Sequence, residues 1–214
     1  CAAGIAVHDP EYLRLARALC DRYEVHLVAD EIAVGFGRTG SLFAHQQAGI
    51  RPDFLCLSKG LTGGTLALSA VLTTDTVYDA FYDDRTARGF LHSHSYTGNP
   101  LACRAALATL EIFEQEDWMA RNRATAARLT ALCQPLSEHP KVLRSRQLGM
   151  LWAFDVDTDD PTFSRRYHAA ALKHGLLLRP IGSTLYFMPP YVIDEGESHH
   201  LAEGALAALN EALP

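Results

Sequence analysis

The junction between a helix and a strand near the start of the chain constrains the fold more than any other feature. Asp9 can cap a helix, Pro10 suits its first position, and Tyr12, Ala16, Leu19 and Tyr23 recur at the three-to-four-residue spacing of one buried face. Residues 25–30 then suit a short strand. A helix that passes into a strand through so few residues is the second half of a β-α-β unit, which implies a parallel sheet. Residues 54–57 (Phe-Leu-Cys-Leu) are apolar throughout, as expected of a parallel strand covered on both faces. A third strand is expected over 66–72, after the glycine-rich turn 60–64.

Beyond Asn99 and Pro100, which make a plausible helix start, the pattern changes. Residues 101–113 are dense in Ala and Leu and suit a long buried helix, and a second helix is expected from about 117 to 138, stopping at Pro140. The remainder reads as strand 148–155, helix 161–174, strand 176–179, strand 185–188 and helix 195–213, an α+β order. The expected fold is therefore α/β over residues 1–112, with a mostly parallel sheet, and a smaller α+β domain over 113–214.

Composition narrows the function classes. The 214 residues are 48% hydrophobic and 21% charged, with a net charge of −6 and no long run of like charge, which disfavours disorder and nucleic-acid binding. No stretch approaches the roughly 18 apolar residues of a membrane span, and no basic-then-apolar leader is present, so a cytoplasmic location is expected. The opening at Cys1, without a methionine or a first strand, reads as the continuation of something longer. Five cysteines (Cys1, Cys20, Cys56, Cys103, Cys133) without any C-x-x-C pair suit small, reduced, buried residues rather than a disulfide framework or a zinc site. The pairs His92/His94 and His199/His200 lack carboxylate or cysteine partners at ligand spacing, so no metal is expected.

The chemistry concentrates at the strand ends, because open parallel sheets place ligands outside their carboxyl edge. Asp30 closes the first strand, and Lys59, one of only three lysines, follows the second. Strand alternation sends Asp30 and Glu31 to opposite faces, so at most one meets the same ligand. Each residue also has an ordinary reading, a turn cap for Asp30 and a solvated surface for Lys59. Small neighbours in Leu-Ser-Lys-Gly-Leu-Thr-Gly-Gly let a ligand approach Lys59 closely, but the lysine precedes the glycines, so this is not a phosphate-binding P-loop. A carboxylate opposing a partly desolvated lysine suits pyridoxal 5′-phosphate: the amine must lose its proton to form a Schiff base, and the carboxylate must stay ionised against the pyridine nitrogen.

These residues resemble a known family. Residues 27–40 (LVADEIAVGFGRTG), then Asp53 and residues 58–64 (SKGLTGG), are similar to the signature of class III pyridoxal-phosphate aminotransferases of fold type I. Residues 91–103, 178–180 and 186–191 further resemble the branch of that class that uses S-adenosylmethionine to aminate 8-amino-7-oxononanoate, giving 7,8-diaminononanoate in biotin synthesis. The resemblance implies that Lys59 is the Schiff-base lysine and proton shuttle, that Asp30 pairs with the pyridine nitrogen, and that Ile32 packs on the ring face. It implies that Ser95, where the family usually has threonine, contacts the cofactor phosphate across a homodimer interface. Arg179 would hold the substrate carboxylate and Tyr186 would line the substrate pocket; without the resemblance these read as an exposed loop start and a half-buried strand residue. Arg38 is expected to stabilise a turn or ion pair, and Gly63 and Gly64 to serve the backbone. The family's phosphate-cradling loop and ring-stacking aromatic have no counterpart here, so the chain resembles a C-terminal half. The alternatives are another class III aminotransferase, of ω-amino-acid or 4-aminobutyrate type, or a non-catalytic fragment.

Overall fold

A computed structural model describes residues 4–213, which divide into two compact units. Cys1, one of the cysteines expected to be buried, lies outside the described residues. One unit comprises residues 8–36 and 41–117. It contains α1 (Pro10–Arg22), β1 (Val28–Asp30), β2 (Phe54–Leu57), β3 (Ala70–Thr73), α2 (Asp75–Asp79) and α3 (Pro100–Gln115). The sheet order is β1-β2-β3. β1 and β2 are parallel, with Val28 opposite Phe54 and Asp30 opposite Cys56. β3 starts four residues later than expected and runs antiparallel to β2, with Leu57 opposite Ala70. An apolar run fixes neither its own direction nor its start, because both depend on how the preceding turn closes.

Asp9 caps α1 as expected, accepting the Glu11 amide at 2.8 Å, with Pro10 opening the helix. The expected buried face is exposed, however: Tyr12 is 60%, Leu19 52% and Tyr23 64% accessible. The helix is tethered through its polar side instead. Arg14 Nε donates to the Ala48 carbonyl (3.1 Å), and Arg17 pairs with Asp53 (2.7 Å), which also accepts the Leu27 amide (2.6 Å). The same correction applies to β2, where only Leu57 is fully buried, and to α3, which buries Ala102 and Ala106 but leaves Leu101, Leu107 and Ile112 exposed. The small residues of α3 face the turn at 59–62, where close approach matters more than side-chain bulk.

The second unit comprises residues 37–40 and 118 onward, together with the N-terminal stretch through Val7. Its elements are α4 (Trp118–Leu132), α5 (Gln134–Ser137), β4 (Val142–Leu148), β5 (Leu151–Val156), α6 (Phe163–Lys173), β6 (Thr184–Phe187) and α7 (Glu195–Ala212). The strands form an antiparallel sheet in sequence order. Period-two alternation along β5 sends Trp152, Phe154 and Val156 into a core with Leu129, Tyr167, Phe187 and Leu209, while Leu151 and Ala153 pack with Ile5 on the other face. The expected 117–138 helix is two helices, because Pro135 has no N–H to continue the first and sits instead in the opening turn of the second. The expected strand 148–155 is the second arm of a hairpin turning at Gly149 (φ 57°), and its first arm, β4, lacked an apolar alternation to reveal it. Arg146 on β4 is satisfied by Asp155 (2.8 Å) and the Ile5 carbonyl (2.8 Å).

No strand forms over 176–179. Its polar groups bond to a helix instead, as described below. Among the described cysteines, all free, only Cys133 is buried; Cys20, Cys56 and Cys103 are half-buried, which corrects the expectation of uniform burial. No helix among the described residues is long and apolar enough to cross a membrane.

Candidate functional site

In the first unit the site is built at the carboxyl edge of the parallel pair. Asp30 ends β1 opposite Cys56, and Lys59 follows β2 three positions beyond Cys56, so both emerge past the same edge. Both are exposed. Among the described residues the Asp30 carboxylate accepts one hydrogen bond, from the amide of half-buried Ile32 (3.1 Å), which leaves a carboxylate oxygen available to a further donor. Glu31 points the other way and is 2% exposed. It accepts the Ala44 amide (2.6 Å), the His45 amide (2.8 Å) and His45 Nδ1 (2.7 Å). The two adjacent carboxylates thus have separate settings: Glu31 anchors the 44–48 turn, and Asp30 stays exposed at the sheet edge with one oxygen bonded to the Ile32 amide.

Lys59 occupies the left-handed region, with φ 44°, a conformation that costs a side-chain-bearing residue energy and that persists only where surrounding structure imposes it. Several bonds impose it here. Ser58 Oγ donates to the Leu68 carbonyl (2.7 Å), the Leu61 amide to the Ser58 carbonyl (3.0 Å), and the Gly64 amide to the Lys59 carbonyl (3.2 Å). Below the turn lies Phe36, itself at φ 56° and 3% exposed. A Cβ on Gly60 would stand 2.9 Å from Phe36 Cδ2, so this position excludes a side chain. Gly63 (φ 60°) closes the turn against α3 in a conformation suited to glycine. Ser95 lies in the exposed turn of residues 95–98, just ahead of Asn99, which caps α3 by accepting the Leu101 amide (3.0 Å).

The second unit carries a groove of about 550 Å³ that brings Arg179 and Tyr186 together, with Leu177, Met188, Pro189 and His200 also in its lining. Arg179 is exposed; Tyr186, on β6 opposite Ala153, is half-buried with one side against the Ile5 cluster. Arg38 does not line the groove but supports one of its wall residues, Pro189. It donates to the Pro189 carbonyl (2.8 Å), and its guanidinium lies 4.6 Å from the Tyr191 ring centroid. Burial pushes the Arg38 pKa down, partly offset by Tyr191. It therefore fixes a turn through neutral carbonyls and a ring face, not through an ion pair.

Asp30, Ile32, Lys59 and Ser95 belong to one unit, and Arg179 and Tyr186 to the other. Sequence reasoning missed Phe36 as the seat of the lysine turn and the Glu31–His45 pair. The Gly-Phe-Gly run was the available signal for Phe36; nothing in the sequence linked Glu31 to His45.

A family model described as aminotransferase class-III matches residues 1–213. The chain is 45% identical to the adenosylmethionine-8-amino-7-oxononanoate aminotransferase of Helicobacter pylori over 99% of its length and 50% of that protein. It is 42% identical to the enzyme of the same name from Nitratidesulfovibrio vulgaris, over 98% of the chain and 41% of that protein. The chain thus spans about half the length of the curated relatives it matches. Among solved structures, an (S)-enantioselective omega-transaminase from Thermomicrobium roseum superposes with a TM-score of 0.90 at 31% identity, over 99% of this chain and 49% of that one. A Pseudomonas jessenii omega transaminase in complex with PMP gives 0.92 at 28%, with the same coverage.

Proposed function

The chain belongs to the class III aminotransferases, and from that premise we propose that it carries the lysine-bearing part of a pyridoxal-phosphate enzyme that transfers an amino group from S-adenosylmethionine to 8-amino-7-oxononanoate. One observation carries the reading most directly: Asp30 and Lys59 emerge past one carboxyl edge of β1 and β2, each with a polar group left available. The residues fit the cofactor, with an acceptor for a ring N–H at Asp30 and an exposed amine on a constrained turn at Lys59, which Gly60 lets pack onto Phe36.

When bound, pyridoxal 5′-phosphate supplies an electron sink for the pair released when a substrate carbon loses its proton. The chain's own residues do the rest. Lys59 binds the cofactor through its amine and moves the proton to and from the substrate carbon. Asp30 holds the proton on the ring nitrogen by remaining ionised, and Ile32 covers a ring face. Ser95 donates its hydroxyl to the phosphate across a homodimer interface. That assembly is supported by the exposed aromatic cluster of Tyr78, Phe81, Tyr82, Phe90 and Tyr96 beside it in sequence. Arg179 binds the substrate carboxylate with its planar fork, and Tyr186 bounds the chain next to it. The expected setting is the cytoplasm.

The test follows cofactor absorbance in this chain, which alone is expected to be inactive or very weak, and donor use in an enzyme completed with the half that its relatives carry and this chain does not span. The expected result is a lysine-bound cofactor band that Lys59→Ala removes, with S-adenosylmethionine as the productive donor. A band that survives Lys59→Ala refutes the role of Lys59. The omega transaminases among the structural neighbours favour a second reading, an ω-amino-acid or 4-aminobutyrate enzyme. Good turnover with alanine or 4-aminobutyrate alongside failure of S-adenosylmethionine would select it.

A further inference from the structure

Residues 176–179 read as a strand by composition, yet they pair with no strand. They fold back along α6, which is capped by one backbone bond at its C-terminus and reaches the segment through two side chains. The Leu176 amide donates to the Ala171 carbonyl (2.9 Å), His168 Nδ1 bonds the Leu178 carbonyl (2.7 Å), and Ser164 Oγ donates to the Pro180 carbonyl (3.2 Å). Positions 164 and 168 share one helix face at i,i+4 spacing, and positions 178 and 180 share one side of an extended segment, so two different periodicities are brought into register. A carbonyl only accepts, so His168 must carry its proton on Nδ1. Exposure follows the same alternation: Leu176 and Pro180 are buried and Leu178 is half-buried, whereas Leu177 (82% exposed) and Arg179 are exposed, and residues 176–179 all line the groove.

We infer that His168 and Ser164 are positioning residues that hold the segment on α6 and so present Arg179 and Leu177 to the groove, one as anion receptor and the other as apolar wall. The inference rests on the reading that Arg179 binds a substrate carboxylate. The two bonds grip the carbonyls of the residues on either side of Arg179: the Leu178 bond fixes the peptide that enters Arg179, and the Pro180 bond anchors the chain one peptide beyond it, after a proline whose ring already fixes φ. Helix α6 is itself fixed: Phe163, Tyr167, Ala170 and Ala171 are buried in the core, and Tyr167 Oη donates to the Ala205 carbonyl of α7 (3.2 Å). The guanidinium therefore starts from a backbone set by the core, with only its own side-chain torsions left to order on binding. A straight-chain carboxylate with an apolar body fits such a receptor.

The experiment uses the cofactor-loaded full chain and two probes of equal length, octanoate and octanamide. Their affinities are measured by calorimetry, alongside amide exchange of the peptide spanning residues 176–179. Loss of one hydrogen bond that fixes the receptor is expected to weaken octanoate roughly tenfold in His168→Phe and several-fold in Ser164→Ala, with octanamide unchanged. Exchange in the segment should speed up in both variants. His168→Asn, which retains a donor near the Nδ1 position, should restore both readouts; general loss of folding would weaken both probes and would not be rescued this way. Octanoate affinity within twofold of the parent in His168→Phe, equal weakening of both probes, or no rescue by His168→Asn overturns the inference. Arg179→Ala is the separate arm for the underlying reading. If it binds octanoate as tightly as the parent, the carboxylate assignment falls, and the clamp is then decided by the exchange data alone.

Discussion

Gly60→Ala isolates the packing that holds the candidate lysine in its strained turn. The added methyl would lie 2.9 Å from Phe36 Cδ2 and 3.0 Å from Phe36 Cβ. The ring tip alone could swing aside, but Phe36 is 3% exposed, its backbone is held at φ 56°, and its ring packs against Phe43 (5.5 Å between centroids) and Phe113 (6.4 Å). Overpacking of this kind costs about 1–3 kcal/mol. The substitution also removes freedom from the unfolded chain, which offsets about 0.4–1 kcal/mol, for an expected net loss of about 1–2 kcal/mol. Urea unfolding followed by far-ultraviolet circular dichroism measures this, since both tryptophans lie in the other unit. In a Phe36→Leu background the branched side chain can rotate away, and the cost of Gly60→Ala should fall by at least about half, a coupling expected only between residues in contact. Cofactor affinity should fall in Gly60→Ala as the turn shifts beneath Lys59. A Gly60→Ala chain as stable as the parent, or an equal cost in both backgrounds, refutes the argument that Phe36 seats the turn.

Three further outcomes follow from other contacts. Glu31→Gln weakens three short bonds to the 44–48 turn, two from amides and one from His45, and should cost about 1.5–3 kcal/mol in the same unfolding assay, the range for bonds to a charged group. The Arg17 guanidinium and then the Leu27 amide hold the Asp53 carboxyl below its usual range. Because the folded value is depressed, this stability is complete above the unfolded pKa of about 3.9 and is lost as pH falls through the folded value; Asp53→Asn should be less stable at neutral pH and show a shallower acid decline. Burial pushes the Cys133 thiol up to about 12, so in mass spectrometry after iodoacetamide treatment it should be alkylated last, behind half-buried Cys20, Cys56 and Cys103.

Local signals were legible wherever a residue acts on its near neighbours. Asp9 and Pro10 announced α1, Asn99 and Pro100 announced α3, and the apolar run at 54–57 announced β2, because capping and apolar patterning operate over a few residues. Asp30 and Glu31 differ in burial, the first exposed and the second 2% exposed, in keeping with the alternation expected of them. Long-range choices were not legible. Sequence gave α1 an apolar buried face, and the fold used Arg14 and Arg17 to tether it instead, since a helix stripe specifies what could be buried and not what stands opposite. The polar strand β4 was invisible because its two arginines are satisfied by Asp155 on the neighbouring strand.

By itself the sequence determined the chemistry on offer: a carboxylate and a lysine at successive strand ends, glycines where a ligand must come close, and an arginine and tyrosine further along. Tertiary structure alone decided the direction of β3, the seat of Lys59 on Phe36, and the fate of residues 176–180. That last segment shows the physical reason. Four residues of strand-like composition and the proline after them must satisfy their backbone groups somewhere, and only the folded chain determines whether the partner is another strand or the side chains of His168 and Ser164 on a helix.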